Sequence, residues 1–290
     1  QQNAQQYPPK LAEREPSDRV VRVGRKLADS IGLGVQSAPG RALILSYSED
    51  GEKETERLVV NGSVQLSNVV SQKPATDPSE RSTFVEDLYT MSFDVDQTRE
   101  TEEDTISFAW GRTWHLIPGW TAAEDGRFGW NSSLGISYAT DRHWDRDVYQ
   151  ASWKGLLSKQ TWGRMGYPLA DHGGLRFAWQ PTLEAQVGKV ADDGGNAMLA
   201  MQKAAGTYYR LIPKLEAQYW PRILDDRLQF FASAARVHDY SLDEGFGQYS
   251  ADLQFRIAAN MWLVASYTKG HSVITLDKVD RWLLGFGVAL

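Results

Sequence analysis

The chain of 290 residues contains no cysteine. It therefore has no disulfide framework, no thiol nucleophile and no thiolate metal site. It also lacks an excess of positive charge: 31 Lys and Arg stand against 37 Asp and Glu, for a formal net charge of -6. With no clustered basic face, a nucleic-acid partner is excluded. No apolar run approaches the roughly 18 residues of a membrane-spanning helix, which excludes a helical membrane protein. No charged and apolar leader stands at the start, so Gln1 and Gln2 read as the beginning of a mature chain whose export signal has been removed, or as an engineered boundary. Mean hydropathy is -0.45. For most folds that value indicates a soluble protein, but a membrane-spanning β-barrel escapes the inference, because every second residue faces its lumen.

What the sequence has in abundance is alternation. From Gly247 to Ala258, the residues Tyr249, Ala251, Leu253, Phe255 and Ile257 fall on one side of an extended strand, and Ser250, Asp252, Gln254 and Arg256 on the other. A helix would scatter both sets around its circumference. The same pattern predicts strands near 43–47, 58–67, 85–95, 106–110, 130–138, 150–157, 175–187, 210–219, 228–234, 247–258, 261–267 and 282–290. About twelve strands, an even number, is what a single-chain bacterial barrel requires.

Ahead of the strands, residues 1–18 are rich in Gln, Pro and charge and offer little to bury. Val20, Val23, Leu27 and Ile31 have helical spacing, which predicts a short amphipathic helix over 20–33. The expected division is an N-terminal periplasmic arm and helix over 1–40, followed by a barrel over 41–290. Longer connections are expected at 72–81, 158–173 and 188–205, with a loop helix in the Ala- and Met-rich 196–205. Pro181 and Pro213 each interrupt a strand and should mark a bulge or a local break in pairing, because proline has no N–H to donate.

The polar rows are full of Ser, Asn, Gln, Thr and Gly, whereas a soluble surface is rich in Lys and Glu. Trp and Tyr recur near strand ends, at Trp114, Tyr138, Trp144, Tyr149, Tyr219, Trp220, Tyr240 and Trp282, as aromatic girdles do at the two membrane interfaces. The expected fold is thus all-β: a closed antiparallel transmembrane barrel of about twelve strands, apolar outside and polar inside.

The closing segment 283–290 resembles the C-terminal strand signal of Gram-negative outer-membrane β-barrel proteins, with Gly285, Val288 and Leu290 at the matching positions. It departs from that signal at Leu283, where a polar residue is usual, and at Leu290, where an aromatic is commoner. The resemblance implies an outer-membrane address and implies no activity.

Signatures of lipid-modifying barrel enzymes, His-x-Ser-Asn-Gly and His-x-Ser, do not occur. His271 and Ser272 are adjacent and so point to opposite faces of a strand. His143 reads as a solvated turn residue, and no pair of histidines has metal-ligand spacing, so no catalytic residue, metal ligand or cofactor is expected. The inward rows offer Lys154, Arg176, Arg210, Lys214 and Arg256 against Glu184, Glu216 and Asp252 as candidate lumen or solute-binding residues. With cations in excess, the expected function is an outer-membrane channel for small anionic solutes; the resemblance to twelve-stranded outer-membrane channels with basic lumen tracks implies acidic saccharides as such solutes. Its rival is a scaffold or assembly component that binds another envelope protein or an exported polymer, and a lipid-modifying barrel enzyme, an outer-membrane lipid hydrolase, is the lesser alternative. A salt-bridged, plugged lumen is the alternative to an open one.

Overall fold

The computed structural model describes residues 19–24, 43–50, 55–73, 80–96, 105–118, 128–158, 175–221, 227–258, 261–272, 276 and 278–288. Wherever apolar and polar side chains alternate, with β-branched and aromatic residues on the apolar positions, the backbone is extended. The strands are β1 (Arg19–Gly24), β2 (Leu43–Asp50), β3 (Thr55–Lys73), β4 (Arg81–Asp96), β5 (Thr105–Pro118), β6 (Gly129–Thr140), β7 (Arg146–Ser158), β8 (Leu175–Asp193), β9 (Thr207–Pro221), β10 (Leu228–Asp239), β11 (Glu244–Ala258), β12 (Met261–His271) and β13 (Lys278–Val288). One helix, α1 (Ala197–Ala205), lies between β8 and β9 among the described residues.

All strands join one antiparallel sheet in the order β1-β3-β2-β13-β12-β11-β10-β9-β8-β7-β6-β5-β4, with a further pairing of β3 to β4. Each strand from β2 to β13 pairs with its neighbours in sequence. β13 also pairs with β2, from Val288↔Leu43 to Arg281↔Asp50. β3 is long enough to take β2 along Thr55–Gly62 and β1 along Ser63–Asn68 on one edge, and β4 on the other.

The strands β2 to β13 lie over the segments where alternation predicts extended backbone. β5 outruns its expected end at Trp110, because Thr113 and His115 prolong one row and Trp114 and Leu116 the other. The helix expected over 20–33 is not what forms at its beginning: Arg19–Gly24 is a strand, paired antiparallel with β3. Three valines in six residues favour extended backbone, and the open edge of β3 beyond β2 supplies the ladder partners that a helix would not use. The rest of the expected helix and of the 1–40 arm lies outside the described residues, as do most of the connections at 72–81 and 158–173. The helix expected in 196–205 is present.

Both prolines act on pairing as expected. The β7–β8 ladder ends at Leu156↔Thr182, beside Pro181, and the β9–β10 ladder skips from Lys214↔Ala235 to Leu211↔His238, around Pro213. The β8–β9 ladder runs through both.

Among the described residues, buried apolar side chains form three separate clusters. Two lie toward the same ends of β7 to β11: Val148, Val190, Leu199 and Tyr208, and Ile212, Val237, Phe246 and Leu276. The third, Trp262, Val264 and Leu283, lies on β12 and β13. Between these clusters, the buried side chains are mainly polar.

Candidate functional site

The two faces of the sheet have the polarity of a soluble protein reversed. Ile136, Leu284 and Phe286 are 59%, 56% and 55% exposed, and Leu134, Tyr149, Phe177, Leu215, Tyr249 and Trp282 share that outer face. Gln180, Gln254, Thr113 and Ser266 on the other face are at most 2% exposed. Alternation alone sends consecutive side chains to opposite faces; the sense in which the sheet curves decides which row is covered.

On the inner face, the strand registers stack polar residues into rungs. Glu86, Thr113, Ser133, Lys154 and Glu184 lie opposite one another in turn across β4 to β8. The next rung carries Thr182 and Lys214, and the following one Gln180, Glu216, Ser233, Ser250, Thr268 and Arg281. Asp252 stands one rung further, opposite Ser266. Five of the eight residues expected at this site thus fall on neighbouring rungs of one face.

Their partners differ from a simple row of free charges. Lys214 Nζ donates to Glu216 Oε1 at 2.7 Å, with the two side chains 26% and 28% exposed. Glu184 accepts from Gln186 Nε2 at 2.7 Å, and Asp252 from Ser266 Oγ at 2.6 Å. Lys154 is half-buried opposite Glu184. Arg210 lies apart, buried, with Nε donating to Asp239 Oδ2 at 2.9 Å and its guanidinium over the Tyr208 ring. Arg256 is near the other end of β11, with its guanidinium 5.8 Å from the Trp262 ring centroid. The side chain of Arg176 is outside the described residues.

Several residues that the alternation did not single out complete the inner face. Asp239 is an acceptor for Gln202 Nε2 at 2.6 Å, Ser241 N and Oγ, and Leu242 N, besides Arg210. On β4 to β6, His115 donates from Nδ1 to Asn131 Oδ1 at 3.1 Å and presents Nε2 to Glu86 Oε1 at 3.3 Å, with both ring and carboxylate buried. A longer reading of the β5 alternation would have placed His115 on the same row as Thr113. Nothing local in sequence points to its pairing with Glu86, which is a cross-strand neighbour of Thr113. Leu283, a departure from the terminal strand signal, packs inside with Trp262 and Val264.

Among the described residues, the outer face also holds a mid-strand ion pair. Arg112 Nε and Nη2 reach both carboxylate oxygens of Asp87, at 2.7 and 2.9 Å, among Tyr89, Trp110 and Trp114. Such a planar fork is the strong form of a charged hydrogen bond. Among the described residues, no group of three or more His, Cys, Asp or Glu side chains could hold a metal ion.

No known protein family and no curated protein matches the chain. Among solved structures, it is similar to the β-domain of the Bordetella autotransporter BrkA (10% identity, TM-score 0.41, covering 86% of this chain and 97% of that one). It is similar as well to an outer membrane channel from Pseudomonas putida F1 (7% identity, TM-score 0.40, 86% and 91%) and to the KdgM porin (6% identity, TM-score 0.37, 86% and 98%). These neighbours are outer-membrane β-barrel proteins. At TM-scores below 0.5, the likeness carries nothing further about this chain.

Proposed function

We propose that this chain is a bacterial outer-membrane β-barrel with no enzymatic role, whose polar interior conducts small hydrophilic solutes. The observation that carries the reading is the reversed polarity: a face of exposed Ile136, Leu284 and Phe286 backed by a face of buried Gln180 and Gln254. In water, that outer face would forgo about 1.5–3 kcal/mol for each large apolar side chain left unburied. Hydrocarbon removes the penalty, and a spanning sheet must then pair its edges. The pairings of β3 with both β2 and β4, and of β13 with β2, support closure of β2 to β13 into a ring. Partial exposure of Lys214 and Glu216 on the inner face supports a hydrated space at that level.

Anion preference, expected from an excess of cations, rests on fewer residues than the sequence suggested. Asp239 matches Arg210, Glu216 matches Lys214, and Lys154 stands opposite Glu184, so the preference for anionic solutes is at most weak. The second reading, a scaffold for another envelope protein, is favoured by one observation, the Arg112–Asp87 fork in the middle of two strands on the outer face.

Fractionation and bilayer recording test the proposal together. The full chain should require detergent for extraction from the outer-membrane fraction and should then give stepwise currents in planar bilayers. Release without detergent would end the membrane reading. A stoichiometric co-purifying protein with no current would replace the channel by the scaffold.

A further inference from the structure

Helix α1 is seated over the inner face at one end of the strands. Leu199 is fully buried against Val148, Val190 and Tyr208, and Met198 packs against Ile212, Val237, Phe246 and Leu276. The strand residues of both clusters occupy inward rows. A single polar latch accompanies the apolar contact: Gln202 Nε2 donates to Asp239 Oδ2 at 2.6 Å, and Asp239 is itself fixed by Arg210.

The helix is capped within its own segment and flanked by glycines. Asn196 caps its start, with Oδ1 accepting from Leu199 N at 2.9 Å, so its first turn needs no partner from the sheet. Glycines at positive φ flank it, Gly194 at 59°, Gly195 at 81° and Gly206 at 91°, and backbone rotation there is easiest for a residue without Cβ. Only Leu199 and Gln202 of its residues are buried, while Met201 on the far side is 49% exposed. Outside the mouth, Lys203 is held by Asp192 and Asp193 at 3.4 and 3.1 Å, an exposed contact that ties the last turn to β8. The hydrogen bond from Lys203 to Asp193 raises the pKa of this ammonium above its ordinary value.

We propose that α1 is a hinged plug, which closes the β8–β9 end of the interior at rest and swings out about Gly194, Gly195 and Gly206 to admit solute. The closed position is the resting one because opening wets the apolar rows around Val190, Tyr208 and Val237, whose burial is the main attraction holding the helix. The inference rests on the channel reading above and adds its gate.

The test uses the full chain in bilayers and needs no native thiol to be removed. Leu199→Ala with Gln202→Ala weakens the seat and should raise open probability severalfold. Lys203→Cys with Asp192→Cys, joined by a short thiol crosslinker, should hold the channel shut until the link is cleaved. Separately from any current, a thiol placed by Val237→Cys beneath the helix should react severalfold faster with a water-soluble maleimide when Leu199 and Gln202 are replaced. Equal currents and equal labelling in all variants would overturn the plug while leaving the channel standing. If a chain with residues 197–205 replaced by a Gly-Ser linker, folded by heat-modified gel mobility, carries no current while labelling still accelerates in the helix-containing chain with Leu199→Ala and Gln202→Ala, the channel reading fails and the moving helix survives.

Discussion

Gln180 Nε2 donates to the carbonyl oxygen of Leu157 at 2.7 Å, beside the position where Pro181 brings no N–H to the β7–β8 ladder. A side-chain amide on the inner row stands in for a missing backbone donor. Gln180 is at the same time buried and part of the polar interior. Its replacement by Ala should leave the Leu157 carbonyl without that donor and lower stability by about 1 kcal/mol. Pro181→Ala in the same chain should recover part of the loss by restoring a ladder N–H. Urea unfolding in detergent measures both, and a Gln180→Ala chain as stable as wild type would remove the substitution argument.

The membrane reading predicts a strong asymmetry between neighbours on β6. Ile136 is on the outer face and Ser137 on the inner one. Ile136→Lys should destabilise the inserted protein by about 2–4 kcal/mol if that face meets hydrocarbon at mid-depth. Ser137→Lys should do much less. On a water-exposed sheet the order would be reversed or absent, so refolding yields into lipid vesicles decide between the two.

The Arg112–Asp87 fork separates lipid from protein on that sector of the outer face. Arg112→Ala should be poorly tolerated, because Asp87 would keep a charge among Tyr89, Trp110 and Trp114 without its partner. Arg112→Leu with Asp87→Leu should restore insertion if lipid covers the sector, because apolar replacements of an ion pair are often neutral or stabilising. If the double variant inserts normally but loses a co-purifying envelope protein, the fork belongs to an interface and the scaffold reading gains.

On the inner face, Glu86 and His115 should behave as one unit. His115→Ala should cost about 3–5 kcal/mol, since it removes the imidazole that faces a buried carboxylate and leaves a cavity beside it. Glu86→Gln in the same chain should relieve most of that loss by removing the charge. Thermal unfolding followed by gel mobility measures the coupling, and additive effects would show that the two side chains do not act together.

Selectivity tests the remaining lumen charges. Reversal potentials across a potassium chloride gradient should show a weak chloride preference, lowered by Lys154→Glu. Lys214→Gln with Glu216→Gln should change it little, because that pair is internally neutral. A cation preference in the wild type would discard the anionic-solute proposal.

The amino-acid sequence by itself determined the strands. Alternation at period two is a local property, and wherever it persists, as from Gly247 to Ala258, it fixes both an extended backbone and the division of side chains between two faces. It placed Lys154, Glu184, Lys214, Glu216 and Asp252 on one face, and it marked the prolines that interrupt the ladders. It failed over 19–24, where helical spacing and valine-rich strand propensity conflict and only the open edge of β3 decides between them. Tertiary structure decided everything that depends on which rows meet. Arg210 finds Asp239 and Glu86 finds His115 through cross-strand registers that no local pattern encodes, and those pairs turn an apparent excess of lumen cations into a nearly matched set. The seat of α1 has the same origin in part: its helical propensity is legible in 196–205 and β8 and β9 flank it in sequence, but the pocket for Leu199 and Gln202 also needs Val148 of β7 and Asp239 of β10, which only strand pairing brings alongside.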